Sequence, residues 1–344
     1  MKRMMTSVVT LGAALVAHPA LGQEQYRLDG ERVAIHNLAG RVEVVPGAGG
    51  EVTVHVARGG ADAERLTVEV GEVRGVATLR VMYPADRVVY DRPGGGRFQS
   101  TFRVCEDGTL CDGGRRVAVR SSGSGLAAHA DLRVEVPAGV AIAVYGGVGE
   151  AVARDLRGDL TLDLGSGSIR AEGIRGDVSM DTGSGGVRAS GIRGSLSVDT
   201  GSGSVEMEDV EGAVVGVDTG SGRVAGRQVR AERFEVDTGS GRVEFTDLSA
   251  PDVLVDTGSG GVELELVGEV RSLDVDTGSG SVTVRLPRDV DAEIEVDTGA
   301  GRIEVDLPVN VRRMRRDYFR GRAGAGGGSI RIDTGSGSVR LLGG

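Results

Sequence analysis

Tryptophan is absent from the 344 residues, aromatic side chains make up only 3%, and Lys2 is the one lysine. A chain so poor in large flat side chains lacks the platforms on which sugar rings stack, and its core has to be built from small aliphatic residues. Cysteine occurs twice, at Cys105 and Cys111, too few for a disulfide-rich scaffold or a four-cysteine zinc site. The histidines, His18, His36, His55 and His129, all precede residue 130. No apolar run reaches the roughly 18 residues that read as a membrane-spanning helix. The longest, residues 8–17, follows Met1-Lys2-Arg3 and precedes Ala20-Leu21-Gly22, the arrangement of a secretory signal peptide over residues 1–22, cut before Gln23. No Cys stands at the cut, so a lipid anchor is not expected. The expected location is the periplasm, the cell surface or the medium.

Loss of Lys2 and Arg3 moves the formal charge from -10 to -12. An acidic surface whose only strong cations are arginines argues against nucleic acid as a partner. In an exported chain, the short Cys105 to Cys111 segment reads as a loop disulfide, with free thiols as the alternative.

What the chain has in excess is glycine, 59 residues, much of it in one repeated turn. Val198-Asp199-Thr200-Gly201-Ser202-Gly203-Ser204-Val205 is its fullest form. Close copies begin at Asp163, Asp181, Asp199, Asp218, Asp237, Asp256, Asp276, Asp297 and Asp333, spaced by 18, 18, 19, 19, 19, 20, 21 and 36 residues. The positions one and three before each Asp are apolar, as in Leu160 and Leu162 or Val215 and Val217. Six after it comes Ile169, Val187, Val205, Val224, Val243, Val262, Val282, Ile303 or Val339. This is the alternation of two half-buried strands joined by a sharp turn. The two glycines allow positive φ in that turn, and Asp and Thr can bond to local amides. A second bend lies near Ile174, Ile192, Val210, Val229 and Leu248; because the first turn is constant, the growth of the repeat falls there.

A repeat this short buries its apolar positions only if neighbouring repeats lie directly above and below, about 4.8 Å away. The expected fold is all-β, a single-chain parallel β-helix with rungs of 18–21 residues and an N-terminal β cap. Residues 23–131 read as an N-terminal β module, or irregular first rungs, with a Gly-rich, Cys-containing loop. Residues 132–344 read as the repeat domain, interrupted by a basic insertion at 309–328.

These turns, each followed by Val or Ile, with Val134-Glu135-Val136-Pro137 before them and an export signal, resemble the bacterial putative-adhesin family, a domain of unknown function. The resemblance covers about residues 132–344. It implies a right-handed parallel β-helix shaped like the pectin lyases but without their catalytic residues, and a role in adhesion or at the envelope surface. Tyr145, Leu164 and Ala300 depart from the repeat, as does the basic insertion.

Asp-Thr-Gly-Ser is also the catalytic turn of aspartic proteases, but that chemistry needs one carboxylate pair brought together across two lobes. Nine stacked copies read as a structural ladder. Neighbouring carboxylates at that spacing repel by about 0.9 kcal/mol even in water. Hydrogen bonds within each turn are the expected relief, and Ca²⁺ between rungs is the alternative, although the ligand spacing matches neither an EF-hand nor a nonapeptide roll. No metal site is assigned. Arg312, Arg313, Arg315, Arg316, Tyr318, Phe319, Arg320 and Arg322 form a candidate binding loop for an anionic surface, or else a cover for the open end of the stack. The expected function is a non-catalytic exported scaffold or adhesin for an envelope polysaccharide or protein. A polysaccharide lyase or hydrolase on the same fold and an envelope sensor are the alternatives.

Overall fold

The computed structural model describes residues 23–91, 96–111 and 113–344; the expected signal peptide lies outside them. The inner positions of the alternation are buried in copy after copy, as at Leu162, Met180, Val198, Val217, Val236, Val255 and Val275. Successive copies pair parallel and in register, Asp181 with Asp199, Asp199 with Asp218, and Asp218 with Asp237. The second strand of each repeat stacks likewise, Val187 on Val205, Val224, Val243 and Val262. The protein is an all-β solenoid. Among the described residues the one helical segment is the 3-10 turn Ala63–Arg65.

Each turn splits its polar residues between inside and outside. Asp faces outward, while the Thr after it is buried in every copy from Thr182 to Thr334. The second glycine is fixed by its neighbour more than by its own backbone angle. A Cβ at Gly203 would lie 1.9 Å from the Gly185 carbonyl oxygen, and one at Gly260 would lie 1.8 Å from that of Gly241. Only Gly167, Gly185 and Gly222 in this column have φ in the positive region expected for the turn. The glycine is there because the rung beneath leaves no room for a side chain.

The second bend carries a specification that the apolar periodicity does not show. Asp155, Gly173, Gly191, Asp209, Gln228 and Asp247 stack as one column, and all have φ between 53° and 68°. Gly and Asp are the residues that adopt this left-handed conformation most readily. The column stops after Asp247, where the pairing shifts register between Phe245 and Leu248.

Two departures from chain order define the ends. Strand Arg32–Pro46 is a full rung, stacked parallel on Ala141–Arg154 with Val33 beside Ile142, Ile35 beside Val144 and Val42 beside Ala151. Residues 47–140 are therefore a long excursion between adjacent rungs. The strand has no Asp-Thr-Gly-Ser-Gly turn, so its place in the stack was invisible to the repeat. At the other end, Gly328–Thr334 is inserted between Ser272–Thr277 and Ala292–Thr298, and Asp333 pairs with Asp276 on one side and Asp297 on the other. The basic insertion makes this possible. Its strands Asn310–Met314 and Tyr318–Ala323 form a hairpin, and the second lies antiparallel on Ala292–Thr298 with Phe319 buried opposite Val296.

Candidate binding cleft

The outward Asp column does not continue to the N-terminal end of the stack. Below Asp163 the same position is held by Tyr145, then His36, then Arg80. The His36 and Tyr145 rings stack, centroids 4.7 Å apart at 16°. Beside them the outward residues are small, Ala34, Ala143 and Thr161, and they form a flat floor. Over this floor projects the sheet that carries the disulfide, made of Gln99–Val104, Arg115–Arg120, Arg87–Val89 and Leu126–Ala127. Cys105 and Cys111 are bonded, with Cα atoms 5.9 Å apart. Between floor and roof lies a cleft of about 1080 Å³, lined also by Arg32, Arg74, Phe102, Arg103, Asp107 and Asp159.

The roof is held down at two points. Phe102 rests on Gly165, where a Cβ would meet its ring at 2.2 Å. Arg80 donates from Nη1 to the Asp107 carbonyl (3.0 Å), and Gly108 packs on Met82 so closely that a Cβ would lie 2.2 Å from the sulfur. Thr109 donates to the Asp107 carboxylate from Oγ1 (2.7 Å) and from its backbone N–H (3.0 Å), holding that acid below its usual range. These contacts brace the roof over the floor.

Two titrating groups in the cleft are shifted in opposite directions. Burial holds the His36 imidazole neutral, with a pKa lowered to about 4, and its Nδ1 is buried without a hydrogen-bond partner. Desolvation, with Asp181 on the next rung adding repulsion, raises Asp163 to about 6. Asp181, Asp218, Asp256 and Asp333 are also raised, first by desolvation and then by neighbouring rung carboxylates. Of the hydrogen bonds expected within the turn, threonine forms them in two copies, Gly301 N–H to Thr298 Oγ1 (2.9 Å) and Gly337 N–H to Thr334 Oγ1 (3.0 Å), but the acid does not. Among the described residues no ladder carboxylate accepts one, because the amides of the turn are already engaged between rungs, as in Gly203 N–H to Ser221 O and Gly222 N–H to Ser240 O. The ladder tolerates its repulsion through exposure to water.

The two shifts make a test. The raised pKa of Asp163 contributes stability below pH 3.8 that is lost as pH rises through about 6. The depressed pKa of His36 contributes stability above pH 6.5 that is lost as pH falls through about 4. Over that shared window they oppose each other. The Asp163→Asn variant is expected to lose about 3 kcal/mol of its own stability on acidification from pH 7 to 4, the histidine effect that Asp163 largely offsets in wild type. His36→Phe, which keeps a ring against Tyr145, is expected to gain about 2 kcal/mol of its own stability over the same range, the Asp163 effect alone, allowing for screening of the half-exposed carboxylate. Urea denaturation at a series of pH values measures both. Parallel pH profiles for all three proteins would refute the assignment.

Of the residues singled out in the sequence, the structure brings Asp163, Tyr145 and the Cys105–Cys111 loop to this cleft. The other ladder residues, from Asp181 to Asp333, run away from it along the stack. The arginine segment lies at the opposite end, with Phe319 buried, Tyr318 donating to Glu295 (2.9 Å) and Arg312 to Glu293 (2.9 Å). His36, Phe102, Arg32 and Arg103 were missed. The available signal was the likeness of Val33-Ala34-Ile35-His36-Asn37 to Ile142-Ala143-Val144-Tyr145-Gly146, which shares the alternation and the small outward residue. The remaining described histidines are occupied by packing, His55 with Glu135 at 3.7 Å and His129 against the Tyr90 ring at 5.1 Å.

A parallel β-solenoid with an open cleft at its N-terminal end, and no group of three or more His, Cys, Asp or Glu placed to hold a metal among the described residues, is the class of protein that these features define. The chain belongs to the Toastrack DUF4097 family, which matches it over residues 133–342. Among solved structures it is similar to a putative cell adhesion protein from Clostridium sporogenes, at 9% identity over 94% of this chain and 99% of that one, with a TM-score of 0.21. No curated protein matches the chain.

Proposed function

We propose that this protein is a non-catalytic, exported scaffold or adhesin of the cell envelope, and that it holds a segment of envelope polysaccharide in the cleft between the disulfide-bearing sheet and the first rungs. The observation that carries this reading is the cleft itself, preformed and braced from both sides, with a flat floor and mixed polar walls. Its charges balance, Arg32, Arg74 and Arg103 against Asp107, Asp159 and Asp163. The histidine in its floor is neutral, able to hydrogen-bond a hydroxyl but offering no fixed charge to an anion. A lyase or hydrolase on the same fold is the second reading, favoured by the raised pKa of Asp163 in the cleft.

The test is retention of residues 23–344 on fractionated envelope polysaccharide and, separately, envelope protein, with Ala143→Trp as the variant that fills the floor. Saturable retention on polysaccharide, at least tenfold weaker for Ala143→Trp and without release of shortened sugars, is the expected result. Shortened sugars would make the protein an enzyme. Retention on the protein fraction alone would favour a sensor or protein scaffold. Chelator is expected to leave both retention and the melting temperature unchanged; a lowered melting temperature would restore Ca²⁺ to the ladder.

A further inference from the structure

Among the described residues, the sheet that carries the Asp column ends at two strands paired on one side only. At the N-terminal end, Thr67–Val73 pairs with Val76–Met82, which in turn lies on Arg32–Pro46. At the C-terminal end, Asn310–Met314 pairs with Tyr318–Ala323, which lies on Ala292–Thr298. Neither edge strand contains proline; Asn310–Met314 shifts register against its partner between Val311 and Arg313, which leaves its outer edge without a covering strand, and an edge left open in this way is a template for pairing. Among the described residues, three of the six exposed large apolar side chains sit on these two strands, Val70 at 37%, Val311 at 54% and Met314 at 55%.

The two edges are opposite in charge. Glu64, Glu69 and Glu72 line the first, with Arg65 and Arg74 at its margins. Arg312, Arg313, Arg315 and Arg316 line the second, followed by Asp317. Glu72, Arg315 and Arg316 make no ion pair among the described residues, whereas Glu69 reaches Arg80 at 3.7 Å and Arg312 reaches Glu293 at 2.9 Å. Two like edges therefore repel and two unlike edges attract. Strand direction agrees. Thr67–Val73 runs against the rungs, and Asn310–Met314 runs with them after two antiparallel steps. With two copies aligned along one axis, the edges meet as an ordinary antiparallel pair.

We infer that the protein associates head to tail with further copies of itself, the arginine edge 310–314 of one copy pairing with the glutamate edge 67–73 of the next. Such an interface is heterologous and does not close on itself, so the product is a linear array that prolongs the solenoid. The array presents one cleft per copy along its length. This goes beyond the proposed function and does not depend on what the cleft binds.

The experiment is sedimentation velocity on residues 23–344 from about 5 to 200 µM, in low salt and at about 0.5 M NaCl, where the Debye length is only a few ångströms. The weight-average mass is expected to rise about twofold or more across this range in low salt, without a plateau at the dimer, and to fall back in high salt. Arg313→Glu with Arg316→Glu reverses one edge, and Glu69→Arg with Glu72→Arg reverses the other. Each double variant is expected to be monomeric and still to unfold in one cooperative transition, although Glu69→Arg gives up the contact with Arg80. An equimolar mixture of the two again presents unlike edges and is expected to reassemble. A monomer at every concentration, a closed dimer, or assembly that survives both reversals would overturn the inference, and so would failure of the mixture to recover.

Discussion

Gly203→Ala is expected to destabilise the protein by about 4 kcal/mol or more, a cost reserved for changes with a named steric cause. The added Cβ would stand 1.9 Å from the carbonyl oxygen of Gly185. Backbone on both sides is held in the ladder, so neither atom can move without prising two rungs apart. Two other glycines act as controls, since each isolates one smaller effect. Gly191 has φ 63° and its Cβ would meet nothing closer than 3.4 Å, so Gly191→Ala should cost only the left-handed backbone penalty of about 1–2 kcal/mol. Gly216 sits in a strand with nothing within 4 Å of its Cβ, and Gly216→Ala should be neutral or stabilising by about 0.5 kcal/mol. Denaturant midpoints for the three variants check the ranking. A Gly203→Ala protein no weaker than Gly191→Ala would show that the rungs can separate freely.

That contrast also marks what could be read in advance. The repeat displayed its strands, its turn and its parallel stacking, because a single buried face repeated every 18 to 21 residues admits little else. The turn glycines were recognised but for a different reason, since crowding from the rung beneath is a three-dimensional fact with no signature in one repeat. The second bend was located by the apolar residues after it, but its left-handed backbone was hidden because Gly, Asp and Gln share one conformation there, so the residue type varies while φ does not. The cleft was hidden more deeply. It depends on a strand at 32–46 meeting one at 141–154 across more than ninety residues, and neither carries the Asp-Thr-Gly-Ser-Gly turn. Where the repeat is perfect the sequence predicts the fold, and where it fails, at Tyr145 and His36, the candidate site begins.

Removal of residues 328–344 is expected to be the most damaging truncation of similar length, because it takes out an internal rung. Ile330, Ile332, Val339 and Leu341 are completely buried. At about 1.5–3 kcal/mol for each aliphatic side chain, their loss withdraws about 6–12 kcal/mol of burial. It also leaves Ser272–Thr277 and Ala292–Thr298 facing each other across the width of a missing strand. The entropic penalty for threading the C-terminus into this position is small by comparison. Asp333 meets Asp276 across 57 residues, where Asp276 meets Asp256 across 20, and the longer closure costs only about 1 kcal/mol more. A solenoid responds to such a loss locally, since each rung contacts only its neighbours. Hydrogen exchange on the truncated protein should therefore show protection lost from residue 272 to the new C-terminus and retained from 160 to 257. Were the copies stacked in chain order, the same truncation would remove only a terminal rung, and 272–298 would stay protected. Protection in that segment would mean that the last copy lies outside the stack, or that the flanking rungs close up and pair directly once it is gone. A Cys pair at positions 276 and 297 distinguishes these: with the last copy outside the stack it would crosslink already in the full-length protein, whereas with Gly328–Thr334 inserted between them it would crosslink only after truncation and direct closure.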